Sequence, residues 1–236
     1  MDSSAEKGLA VRSSVPMPDN PWPHDMVITL EDTPRTLLDL LWIREAWGLE
    51  PVGEDLPPRL VATPEPVDDE ARECAPIAQW QDAWPGLWRE CLAFAGTPKD
   101  PSVLEHFQHA VFDAGAGTGA DAEADAAERV ALIRQLSGPS WHERFGTVAF
   151  TDQKHAWDDN LFDEEVMQPH RDMERKVLDA LVPAWESGLR IVVQIPCRGT
   201  FTRTITPHAL LVTSETREIV TRYTQALNTF GHTEPV

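Results

Sequence analysis

The chain has 236 residues, 42% hydrophobic and 25% charged, which is ordinary for a globular protein and long enough for a sizeable core. No apolar run reaches about 18 residues, and the amino terminus lacks the apolar stretch of a secretory signal, so neither a membrane span nor export is expected. The formal charge of −19 opposes phosphate backbones and anionic lipid surfaces as partners.

That charge is uneven. Residues 1–186 hold 36 acidic and 15 basic side chains, whereas residues 187–236 hold 3 and 5. Among the basic residues only Lys7, Lys99, Lys154 and Lys176 are lysine. Cys74, Cys91 and Cys197 are odd in number and far apart, which argues against a disulfide framework and suits a reducing cytoplasm.

Residues 1–24 are polar and carry Pro16, Pro18, Pro21 and Pro23. They are expected to form a flexible arm, with 25–236 as a single globular domain. Residues 25–30 (DMVITL) are a short strand candidate. Thr33-Pro34 supplies a helix start, Leu37, Leu38, Leu41, Ile43 and Trp47 follow at mostly helical spacing, and Gly48 supplies a stop. Five prolines mark 50–67 as a loop around a possible strand at 59–62. A helix from Asp68 or Asp69 to about Ala95 is expected to break or kink at Pro76 and Pro85, because proline lacks the helical donor.

Helices are expected at about 101–112 and 121–136, the second ended by Gly138-Pro139, with a short strand at 147–151 and an irregular acidic stretch at 152–171. Met173, Val177, Leu178, Leu181 and Trp185 give an amphipathic helix closed by Gly188. The last 50 residues change character. Strands are expected at 190–195, 200–206 and 208–213, the second alternating strictly, with Phe201, Arg203 and Ile205 on one face. Thr213 or Ser214 can cap a final helix containing Ile219, Val220, Tyr223 and Leu227. Short connections favour antiparallel pairing. The expected class is therefore α+β: mostly helical up to residue 186, with a small antiparallel sheet of about three strands near the C-terminus packed against helices.

Residues 111–120 (VFDAGAGTGA) locally resemble the glycine-rich loop of Rossmann-like S-adenosylmethionine methyltransferases, over about ten residues. The resemblance implies cofactor contacts at Asp113, Gly115, Gly117 and Gly119. The preceding residues pattern as helix, and the alternating strands and helices of that fold are missing, so the segment reads as a loop between helices. No cofactor is implied by the rest of the chain.

Four further groups could carry function, each beside a plainer structural reading. His155, Asp158, Asp159 and His170, with Asp163, Glu164, Glu165 and Asp172, offer ligand types for a divalent metal but match no known ligand spacing; polar side chains on a solvated loop explain them without function. His106 and His109 stand at i, i+3 without a third ligand nearby. Trp80, Trp84 and Trp88 form one stripe if their helix is continuous, either core or an aromatic docking surface. Cys197, beside Arg198, is a candidate nucleophile with His208 as its base, or else a small apolar packer. The expected function is a protein-binding or regulatory module with a basic protein partner. The alternative is a metal-dependent or cysteine-dependent hydrolase or transferase with its site between the helical part and the sheet.

Overall fold

A computed structural model describes residues 9–11, 22–53, 55–99, 102–103, 130–133, 135–161 and 173–231. The class is α+β, with a mixed, open sheet packed between helices. The strands are β1 (Leu9–Val11), β2 (Ile28–Glu31), β3 (Ile191–Ile195), β4 (Thr202–Thr206) and β5 (Ala209–Thr213), in the order β1-β2-β3-β5-β4.

The antiparallel pairing expected of the C-terminal strands holds only for β4 with β5. β3 lies parallel to β5, and β2 parallel to β3. The chain leaves β3, crosses to the outside of the sheet as β4, and returns through Pro207-His208 as β5. Two short connections thus yield one parallel and one antiparallel neighbour. β1 closes the other edge against β2. The range expected to be an arm therefore supplies an edge strand, and Trp22, 6% exposed, joins the core.

The central strands are apolar on both faces, as buried parallel strands must be. Ile191, Val193, Ile195 and Leu211 face one helical layer. Ile28, Leu30, Val192, Leu210 and Val212 face the other. The first layer holds α1 (Arg35–Ala46), α3 (Ile77–Ala95), α4 (Trp141–Phe145) and α5 (Asp152–Leu161), with α2 (Asp69–Cys74) leading into α3. The second holds α6 (Met173–Lys176), α7 (Leu178–Glu186) and α9 (Val220–Thr229), with α8 (Ser214–Glu218) between β5 and α9.

Pro76 separates α2 from α3, as expected, but Pro85 does not break α3. Trp84 and Trp88 bury their rings on both sides of it and stack 5.3 Å apart, outweighing the single missing donor. Gly48 ends α1 at φ +61°, a left-handed position where a Cβ would lie 2.9 Å from Arg72 Nη2. The strand expected at 147–151 is a turn instead. Half of the stretch expected to be irregular, 152–171, is α5. The 59–62 strand reduces to one bridge, Leu60 to Cys197. Most of the helices expected at 101–112 and 121–136, with His106, His109 and the 111–120 loop, lies outside the described residues. Among the described residues, no helix is long and apolar enough to cross a membrane.

Candidate functional site

After β2 the chain enters the first layer through α1, and after β5 it enters the second through α8. The carboxyl ends of parallel strands, where successive connections diverge to opposite faces, form the usual ligand crevice of such sheets. Here that position gathers Asp32, Gln194, Ser214, Arg217 and Glu174.

Each follows from local structure. Gln194 replaces an apolar residue on the second-layer face of β3. Ser214 follows β5, and its Oγ accepts from Gln194 Nε2 at 3.2 Å. Thr213 caps α8 by accepting from Thr216 N–H at 3.3 Å, which directs Arg217 inward. Arg217 donates from Nε and Nη2 to the two carboxylate oxygens of Glu174 at 2.9 and 3.0 Å, and from Nη1 to Gln194 Oε1 at 3.2 Å. Their side chains are only 3% and 8% exposed, so this is a desolvated two-point ion pair. Tyr223 lies behind it, its phenol pushed up by burial and by the Glu174 carboxylate. Burial also raises the Asp32 carboxyl above its ordinary value, against a backbone hydrogen bond and the pull of Arg217. A half-buried carboxyl raised by desolvation and set beside a fixed cation is a group able to hold or pass a proton. Sequence patterning missed this cluster, because its members come from four separated segments. The one legible signal was a glutamine inside an otherwise apolar strand.

Cys197 and His208 are not brought together. His208 accepts at its carbonyl from Ile191 N–H, at the amino end of β3, while Cys197 lies beyond the carboxyl end. About 13 Å of strand separates the two levels. Cys197 is fully buried, and burial pushes its thiol up to about 12 despite Arg44. Arg198, expected to activate the thiol, instead donates from Nε to Leu60 O at 2.8 Å and from Nη2 to Thr63 Oγ1 at 2.7 Å, pinning the 60–63 loop. The His208 ring is exposed, with Nδ1 3.0 Å from Gly188 O.

The proposed metal ligands diverge as well. On α5, Lys154, Trp157, Asp158 and Leu161 point toward the body, while His155 and Asp159, one helical turn apart, face solvent. Asp158 binds Lys154 Nζ at 2.6 and 2.7 Å, and Lys154 also reaches Asp39 at 2.9 Å. Burial raises the Asp39 carboxyl, with Lys154 pulling the other way. Among the described residues no three His, Cys, Asp or Glu side chains gather as a metal site, and His170 lies outside them.

Trp80, Trp84 and Trp88 form one stripe, and it is core: each is at most 2% exposed. Trp80 meets Trp47 edge-on at 5.0 Å and Trp141 at 5.4 Å. Trp84 Nε1 donates to Leu40 O at 2.8 Å, which ties α3 to α1. These rings offer no docking surface.

The surface around α2 is different. This helix contains no buried residue. Glu65, Asp68, Asp69, Glu70 and Glu73 are all exposed there, and Arg72 folds back over Gly48. None of the five carboxylates forms an ion pair among the described residues. No protein-family model, curated protein or solved structure matches this chain.

Proposed function

We propose that the chain is a protein-binding module that presents a carboxylate-rich face to a basic partner. The observation that carries the proposal is α2 with its approach: five exposed carboxylates in nine residues, around a helix with no fully buried residue. Like charges at such spacing repel one another, and a cationic partner relieves that repulsion while gaining a faster, salt-sensitive encounter. The net charge of −19 favours the same class of partner and disfavours nucleic acid. Three free thiols, two of them buried, suit a cytoplasmic setting.

The test compares the wild type with Asp68→Lys/Asp69→Lys/Glu70→Lys as baits in host lysate. Basic proteins held by the wild type at about 50 mM salt should be lost at about 0.5 M salt and by the variant, since screening shortens the reach of exposed charges. Identical retention by both baits, or none by either, would refute the reading. The substitutions fall on exposed residues, so the variant should fold.

One observation favours a second reading, a hydrolase or transferase working between the helices and the sheet: the raised Asp32 carboxyl at the strand ends. Turnover of p-nitrophenyl esters or phosphates by the wild type but not by Asp32→Asn would support it. Equal rates would remove it.

A further inference from the structure

On the far side of the sheet from Asp32, a cleft of about 300 Å³ opens between the loop after Pro51, the middle of α3 and edge strand β4. Its described lining carries two guanidinium groups, Arg89 and Arg203, and one carboxylate, Asp55. Two arginines lining one cleft stand out in so acidic a chain.

Arg203 arises from a strand rule. It pairs with Leu211, so it points to the first-layer face, where a neighbouring residue would ordinarily be apolar. Its side chain is only 9% exposed. Nη1 donates to the Asp55 backbone oxygen at 3.0 Å, and Nη2 pairs with Asp55 Oδ2 at 3.0 Å. Nε has no hydrogen-bond partner. Nε is itself enclosed, so Arg203 is a buried cation with one donor unsatisfied, and an anion placed beside it offsets part of that cost. Burial also lowers the pKa of Arg203, the mark of a cation short of compensation. Asp55 is itself 62% exposed, so it is a weak, solvent-screened counter-charge. Arg89 donates only from Nε, to Pro85 O at 3.3 Å, which leaves its terminal nitrogens open among the described residues. Leu56, Pro85 and the edge of Trp88 supply an apolar wall.

We propose that this cleft binds a small organic carboxylate with an apolar body, its charge held by the Arg89 terminal nitrogens beside the Arg203 guanidinium and its body against Leu56 and Pro85. Guanidinium groups match planar carboxylates in geometry as well as charge. A monoanion fits better than a phosphate dianion, because Asp55 stands beside the bound charge. The volume lies at the lower end of small-ligand sites. The cleft is independent of the acidic α2 face, so either proposal can fail alone.

The test follows the arginine Nε–H signals of ¹⁵N-labelled full-length protein while 3-phenylpropionate is added. Arg203→Lys identifies the Arg203 signal, and the neutral analogue 3-phenylpropionamide and inorganic phosphate serve as the other arms. A saturable shift of the Arg203 signal is expected with a dissociation constant of about 1 mM, a reasonable affinity for so small a ligand. The amide should give no shift. Arg89→Gln, on an exposed side chain, should weaken binding at least about fivefold without altering the rest of the spectrum. No saturable shift up to about 20 mM, a twentyfold excess over the expected constant, would overturn the proposal. So would equal response to the amide, unchanged binding by Arg89→Gln, or a tighter response to phosphate, which would mark an inorganic-anion site instead.

Discussion

Replacing Glu174 by leucine removes one half of the buried pair with Arg217. Both bonds to the carboxylate are lost, at 2.9 and 3.0 Å, in a site where the arginine side chain is 3% exposed. Breaking such a pair by deleting one partner costs about 3–5 kcal/mol, because the remaining charge stays buried without compensation. Arg217 keeps its bond to Gln194 Oε1, which puts the expectation at the lower end, about 3 kcal/mol. For a chain of this size that corresponds to a fall in melting temperature of roughly 6–12 °C. Urea unfolding followed by tryptophan fluorescence, alongside thermal melts, measures both. The companion variant Glu174→Leu/Arg217→Met removes the stranded charge and should recover at least about 1 kcal/mol of the loss. A Glu174→Leu protein within about 1 kcal/mol of the wild type, or a double variant less stable than either single one, would refute the reasoning.

Thiol alkylation of the native protein at pH 8 should label Cys74 alone, since burial holds both Cys91 and Cys197 up at about 12 and leaves on the order of 10⁻⁴ of each as thiolate. Three labels on the native chain, counted by mass spectrometry, would contradict the burial. Trp80→Ala should cost about 3–5 kcal/mol and flatten the near-ultraviolet dichroism, because it empties the space between Trp47 and Trp141. Asp32→Asn should gain stability relative to the wild type as pH rises from about 3.5 to 7. The folded carboxyl is raised above the unfolded value of 3.8, so its contribution is present below that value and lost as pH climbs through the folded one. Urea midpoints at both pH values check the sign.

Strands and helix ends were legible where local chemistry is strong. Thr33-Pro34 and Gly48 bracket α1 closely, and the pattern of 190–213 placed β3, β4 and β5 within two residues of their ends. Pairing was not legible. A parallel neighbour leaves no turn to read, so nothing near Ile28 announces that β2 lies beside β3. Helix α5 escaped notice because its inward side mixes Lys154 and Asp158 with Trp157 and Leu161, hiding the apolar period behind an ion pair. Of the candidate sites, the tryptophan stripe was correctly grouped on one helix face but faces inward. Cys197 and His208 are close in sequence yet fall at opposite ends of one strand level. The Asp32, Glu174, Gln194 and Arg217 cluster and the Arg89–Arg203 cleft draw on segments far apart in the chain, beyond the reach of any local period.

The pairing of β2 with β3 also bears on how the chain is made. Roughly 160 residues separate Thr29 from its partner Ile191. At about 5–20 residues per second, a ribosome needs on the order of 10–30 s to deliver that partner after the first strand emerges. Through that interval Ile28 and Leu30 have no sheet to join, and both layers of helices lack their common floor. Synthesis must therefore pass β3 before the centre of the molecule can close, and the newborn segment ahead of it is the part that would engage a chaperone.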